Sequence, residues 1–235
     1  MSSDRFNEIK ANLESVLDNI ASISEAVGHK SDEVQLVVVT KTYPISDLEI
    51  LFDLGIRDFG ENRDQEARSK IDFLPSEVRW HFQGQIQSNK VNSITSWTNT
   101  IHSIDNHEHF RKIIDQLSSH PERPTEKLLI QINLDSPEHR AGRGGVPIDE
   151  IEGFLDHEVF SARIPDGVMA VAPLEGNTED HFSRLVEMAH RLRRNGRVGV
   201  EISAGMSGDY REAISAGATL VRVGSSILGN RNYPI

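Results

Sequence analysis

Cysteine is absent from the 235 residues, which removes a disulfide framework, a thiolate zinc site and a thiol nucleophile. Basic residues are scarce beside acidic ones, 25 against 36, for a formal charge of −11. That balance argues against a working surface for a nucleic-acid backbone or an anionic membrane, so any phosphate must be held locally. Long apolar runs are missing too: none nears the roughly 18 residues of a membrane span. The opening MSSDRFNEIKANLESVLDNI scatters charges among its apolar positions, unlike the basic start and apolar block of an export signal. A cytoplasmic protein that neither takes that export route nor spans a membrane is expected. A chain this long buries one large core and suits a single α/β barrel domain over residues 1–235 better than two ordinary domains.

What is present is periodic. Phe6, Ile9, Leu13, Val16, Leu17, Ile20 and Ile23 recur at helical steps, predicting a long leading helix that ends near Gly28. Eight short apolar runs follow, VQLVVV, RDFG, VRWHF, TIHSI, KLLIQINL, GVMAVA, VGVEIS and TLVRVG. Most precede a segment of helical periodicity, and several are apolar on both faces, as a parallel sheet sealed by helices requires. Eight such units close a (β/α)8 TIM barrel with an extra N-terminal helix, and an open doubly wound sheet is the competing topology. The stretches Ser118 to Lys127 and Asp135 to Pro147 read as loops, not domain linkers.

In a βα barrel, residues just after each strand converge on one face. Lys41 closes the first run, QLVVVTK. An amine there, once neutral, attacks an aldehyde carbon to form an imine; the plain alternative is a surface lysine whose stem covers apolar area. After the second run, Asn62 either offers an amide to the barrel mouth or caps a helix with Gln65 or Glu66 behind it. In the third, His81 alternates with Trp80 and Phe82 and so faces the other side, as a structural donor or a general base. At the far end, Ser203 closes the seventh run, and Gly224 and Ser225 follow the eighth, where barrels gather N–H groups and hydroxyls around a phosphate. Arg222 lies on the strand face of Leu220 and Gly224. It either faces a ring nitrogen, to which it can only donate, or pairs with Glu201. An aldehyde bearing a phosphate and a pyridine ring satisfies both ends of the site: pyridoxal 5′-phosphate (PLP). His102, His107 and His109 lack supporting acids at ligand spacing, so no metal is expected. Arg191, Arg193 and Arg194 suit a helix C-terminus.

With these residues in hand, the chain resembles the YggS/PROSC family of pyridoxal phosphate homeostasis proteins, related in fold to the alanine racemase barrel. VVVTK, FGENRDQEA, WHFQGQIQSNK, GVMAVAP and SAGMSGDYREAISAGATLVRVGSSILG resemble its motifs in order, from about Val34 to Tyr233. The resemblance implies a cofactor imine at Lys41, phosphate contacts from Ser203, Gly224 and Ser225, a ring-side role for Asn62, and Arg222 opposite the pyridine nitrogen. Ala204 departs from the family's methionine and Ser225 from its threonine, the latter keeping a hydroxyl. The segment around Arg143 is more basic than usual. Three functions stand in competition. The first is a non-enzymatic carrier or regulator supplying PLP to dependent apoenzymes, monomeric by default. The second is an amino-acid racemase, which needs an acid/base on each face of the substrate and has only Tyr43, Tyr210 and Tyr233 as tyrosines. The third is a lysine-imine aldolase.

Overall fold

The computed structural model describes residues 3–28, 33–140 and 143–229. The leading helix α1 (Ser3–Ala26) carries its apolar stripe on Ile9, Leu13, Val16 and Ile20, all buried. Leu17, one residue off that stripe, points outward and is 41% exposed, because neighbouring helical residues lie about 100° apart.

Eight strands close into a parallel barrel: β1 (Gln35–Val39), β2 (Asp58–Glu61), β3 (Arg79–Phe82), β4 (Thr100–Ile104), β5 (Lys127–Asn133), β7 (Gly167–Val171), β8 (Glu201–Ser203) and β9 (Leu220–Val223). The ring shuts where β4 pairs with β5 and where β9 pairs with β1 in the register Val37↔Arg222. The barrel, not the open sheet, is the topology of this chain. β6 (Val146–Pro147) adds a two-residue rung beside β5, within the stretch read from sequence as loop.

Helices α2 (Ile45–Asp53), α3 (Asp64–Ile71), α4 (Val91–Thr95), α5 (His107–Ser119), α6 (Ile151–Leu155), α7 (Val159–Ala162), α8 (Thr178–Arg194) and α9 (Tyr210–Ala216) surround the barrel. The last, α10 (Ser225–Leu228), is one turn long and too short to cover β9. α1 fills that place instead, packing on α2, α9 and α10. Asn12 Nδ2 donates to the Ile227 carbonyl at 3.0 Å, and Arg5 binds the Asp47 carboxylate and the Leu228 carbonyl.

Outward-facing strand residues such as Val38, Phe59, Phe82, Val221 and Val223 join the core beneath the helices. The interior is less uniform. Val37, Leu129, Met169 and Leu220 are buried apolar side chains, yet His81, His102, Ser203 and Arg222 are buried as well. Barrel interiors are usually filled by branched aliphatic residues, so this polar set calls for hydrogen-bond partners. At the strand N-termini, Arg79 binds Asp58 and Lys127 binds Glu201, each at 2.5 Å, closing the lower rim.

Candidate functional site

Lys41 stands immediately after β1, half-buried at the C-terminal mouth. The residues on either side of it are unusually constrained. Thr42 has φ 70°, a conformation a β-branched side chain adopts only under strain. Its N–H is taken by Glu66 Oε1. Behind it, Lys70 Nζ donates to the Thr40 carbonyl, to Glu61 Oε1 and to Glu66 Oε1, each at 2.8 Å. Burial pushes the Glu61 carboxyl up, against the pull of Lys70. For Glu66, burial acts in the same sense, but hydrogen bonds from Lys70 and the Thr42 N–H outweigh it and hold the carboxyl low. On the other flank, Tyr43 OH donates to the Gly229 carbonyl at 2.6 Å, tying the lysine turn to the end of α10.

Along the mouth, Asn62 follows β2 and Gln83 follows β3. Asn62 does not cap α3: the capping position is Arg63, and no side chain bonds there. Instead, Asn62 Oδ1, Gln83 Nε2 and Thr42 Oγ1 are buried without a hydrogen-bond partner. Buried polar atoms are nearly always satisfied, and each orphan costs about 1–3 kcal/mol. Three of the orphaned atoms thus follow β1, β2 and β3. Gly84 lets the backbones converge there, since a Cβ on it would lie 1.9 Å from the Asn62 carbonyl oxygen. A cavity of about 330 Å³ opens beside Asn62, Phe82, Gln85 and Lys90.

On the other side of β1 from β2, a Cβ on Gly224 would sit 3.0 Å from the Val39 carbonyl, so only glycine lets this turn lie against β1 without a shift. The N–H groups of Gly224 and Ser226 both point at Ser207 Oγ, each at 3.2 Å. Ser225 is exposed. Ser203 is elsewhere: its hydroxyl lies fully buried inside the barrel, 2.9 Å from His102 Nδ1 and 2.5 Å from Arg222. Ser207 is therefore the hydroxyl that meets the closing turn. Its signal in the sequence was its place four residues after Ser203, in the same polar loop.

Arg222 does not pair with Glu201, which binds Lys127. It donates to Ser203 Oγ and, through its other amino group, to the Ala170 carbonyl at 2.9 Å. Burial lowers its pKa to about 10, with Asp209 pulling the other way, so the guanidinium remains charged near neutrality. His81 faces the interior as its alternation required, joined to His102 and Asp58, each at 3.0 Å. His102 is thereby separated from His107 and His109, which lie on α5; among the described residues no cluster suits a metal. In the loop after β5, Arg143 donates to the Ala172 carbonyl at 2.7 Å and Gly145 N–H to Asp105 Oδ2 at 3.0 Å, fastening its described part across the strand ends. Tyr233 lies outside the described residues.

The chain as a whole is similar to known proteins. The family of the alanine racemase N-terminal domain matches residues 11–232. A pyridoxal phosphate homeostasis protein of Corynebacterium glutamicum is 38% identical, covering 84% of this chain and 90% of its own. One from Mycobacterium tuberculosis is 32% identical over 97% of this chain and 95% of its own. The structure of PipY from Synechococcus elongatus with PLP bound superposes with a TM-score of 0.73 at 28% identity, covering 91% of this chain and all of that one (100%). A lysine-bearing barrel mouth with these relatives across nearly its whole length belongs to the alanine racemase N-terminal domain family and, within it, to the pyridoxal phosphate homeostasis proteins.

Proposed function

We propose that this chain binds PLP at Lys41 and acts as a carrier or regulator of PLP supply, without robust catalysis. The observation that carries the reading is the convergence of Lys41 with three orphaned polar atoms at one end of the barrel, facing the Gly224 turn. When bound, PLP supplies an aldehyde that a neutral lysine amine captures covalently and reversibly.

The residues divide that work. The strained turn at Thr42, clamped by Glu66 and Lys70, fixes the direction in which Lys41 leaves β1. Asn62 and Gln83 offer one acceptor and one donor to ring substituents. Gly224, Ser225 and Ser226 hold the phosphate: the N–H groups of Gly224 and Ser226 already aim at one oxygen, that of Ser207, the arrangement an anion needs. Ser203, expected from the sequence to touch the phosphate, instead accepts from Arg222 and steadies that side chain. Arg222, a pure donor, would face the ring nitrogen of a bound PLP and leave it without a proton. Lys41, as a reversible holder of the aldehyde, would yield it to a competing amine, so that a recipient apoenzyme in the cytoplasm could take the cofactor. We take the working unit to be a single 1–235 domain acting as a monomer.

The racemase alternative needs a second acid/base on the substrate face opposite Lys41. Among the described tyrosines, Tyr43 donates to Gly229 and Tyr210 is buried at the start of α9. Titration of the protein with PLP tests the reading. A visible band that is present in the wild type and absent in Lys41→Ala supports it, and a protein that stays colourless overturns it. Interconversion of D- and L-amino acids at about 1 per second or faster defeats the non-catalytic part.

A further inference from the structure

Arg222 is a buried cation that, among the described residues, hydrogen-bonds no carboxylate, although Asp209 is near enough to favour its charge. Its partners are the Ser203 hydroxyl and the Ala170 carbonyl. An isolated charge in that setting is costly unless its surroundings are polarised toward it. A route to a counter-charge does exist, and it runs through the barrel interior.

Arg222 donates to Ser203 Oγ at 2.5 Å. The remaining contacts are Ser203 Oγ to His102 Nδ1 at 2.9 Å, His102 Nε2 to His81 Nδ1 at 3.0 Å, and His81 Nε2 to Asp58 Oδ1 at 3.0 Å. The tautomers follow from satisfying every atom. Ser203 accepts from Arg222, so its own hydrogen goes to His102 Nδ1. His102 then carries its proton on Nε2 and gives it to His81 Nδ1, and His81 carries its proton on Nε2 and gives it to Asp58. In the reverse direction His81 would be cationic, a second positive group turned toward Arg222, and the Ser203 hydrogen would be left without an acceptor. Burial, with Arg222 nearby, holds His102 neutral, as a chain of single protons requires. Asp58 ends the chain at the lower rim, where Arg79 and Gln35 also bind it. His81, His102, Ser203 and Arg222 are each at most 3% exposed, so water does not interrupt the sequence.

We propose that His102 and His81 are positioning residues for the cofactor site: a one-way hydrogen-bond chain, Arg222→Ser203→His102→His81→Asp58, couples the guanidinium to a carboxylate across the barrel and holds it aimed at the ring nitrogen. This rests on the PLP reading above. The chain itself makes a claim about the ligand-free protein that PLP does not enter. Breaking it leaves Arg222 free to turn toward Asp209. That turn removes positive charge from beside the bound ring and makes the covalent lysine nitrogen more basic.

Two measurements test this. The first is 15N NMR of the imidazoles without ligand, in which both His81 and His102 are expected as Nε2–H tautomers; an Nδ1–H signal for His102 at neutral pH overturns the chain. The second is the pH midpoint of the visible band in PLP-loaded wild type, His102→Leu and Ser203→Ala. Both variants are expected to raise that midpoint by about 0.5 unit or more, with several-fold weaker PLP binding. Ser203→Ala removes a single hydroxyl and keeps the test alive if His102→Leu does not fold. Midpoints equal to the wild type in a folded variant overturn the positioning role while leaving PLP binding intact. A wild type that takes no PLP removes the function and this role together, whatever the tautomers.

Discussion

Lys70 reaches from α3 to donate to the carbonyl of Thr40 at 2.8 Å, so a buried ammonium finishes the strand from which Lys41 projects. The same ammonium holds Glu61 and Glu66, and Glu66 in turn holds the strained Thr42 N–H. The site's lysine is thus presented by a second lysine that never faces the mouth.

Replacing Lys70 with Met strips the buried Glu61 and the half-buried Glu66 of their cation. A loss of about 3–5 kcal/mol in urea unfolding is expected. Because burial already favours protonated Glu61, the double variant Lys70→Met/Glu61→Gln recovers part of it. A Lys70→Met protein as stable as the wild type contradicts this role.

How much of this was legible in advance depended on whether a signal was local. The eight strands announced themselves because both faces are buried, giving runs such as QLVVV and TIHSI. The two-residue β6 and the one-turn α7 left no periodicity to read. Lys41 and Gly224 stood out by residue type at strand ends. The link between His81 and His102 did not, since it depends on which strands are neighbours and which face each histidine takes. Arg222 and Glu201 were plausible partners by charge, yet both face the interior at different heights. Lys127, at the lower end of β5, takes Glu201 instead.

Acid should weaken the fold through Asp58. Burial raises its pKa, but hydrogen bonds from His81 and Arg79 dominate and hold it below 3.8. A carboxylate with a depressed folded pKa contributes stability above its unfolded value and loses it as pH falls through the folded one. Thermal unfolding followed from about pH 6 to pH 3 is expected to drop more steeply for the wild type than for Asp58→Asn below that unfolded value of 3.8. Parallel curves contradict the assignment.

The orphaned mouth atoms imply opposite signs for stability and binding. Gln83→Met removes an unsatisfied donor, so the ligand-free protein should gain about 1 kcal/mol, while PLP affinity falls by about tenfold. Thermal shifts with and without PLP measure both. A variant that loses stability and keeps its affinity shows that Gln83 serves packing and not the ligand.

Ser207 sits where the closing turn collects its N–H groups. Wild type should prefer PLP to pyridoxal, which lacks the phosphate, and Ser207→Ala should narrow that preference by about tenfold, a change of about 1.4 kcal/mol. Competition between the two vitamers gives the ratio. An unaltered ratio places the phosphate elsewhere.

Borohydride reduction of the PLP-loaded protein, followed by peptide mass spectrometry, addresses the covalent claim at the level of a single atom. The expected result is one pyridoxyl-phosphate group, on the peptide carrying Lys41, with none recovered from Lys41→Ala. Label on Lys70, Lys90 or no lysine at all, with Lys41 unmodified, contradicts the assignment of this barrel mouth as the PLP site.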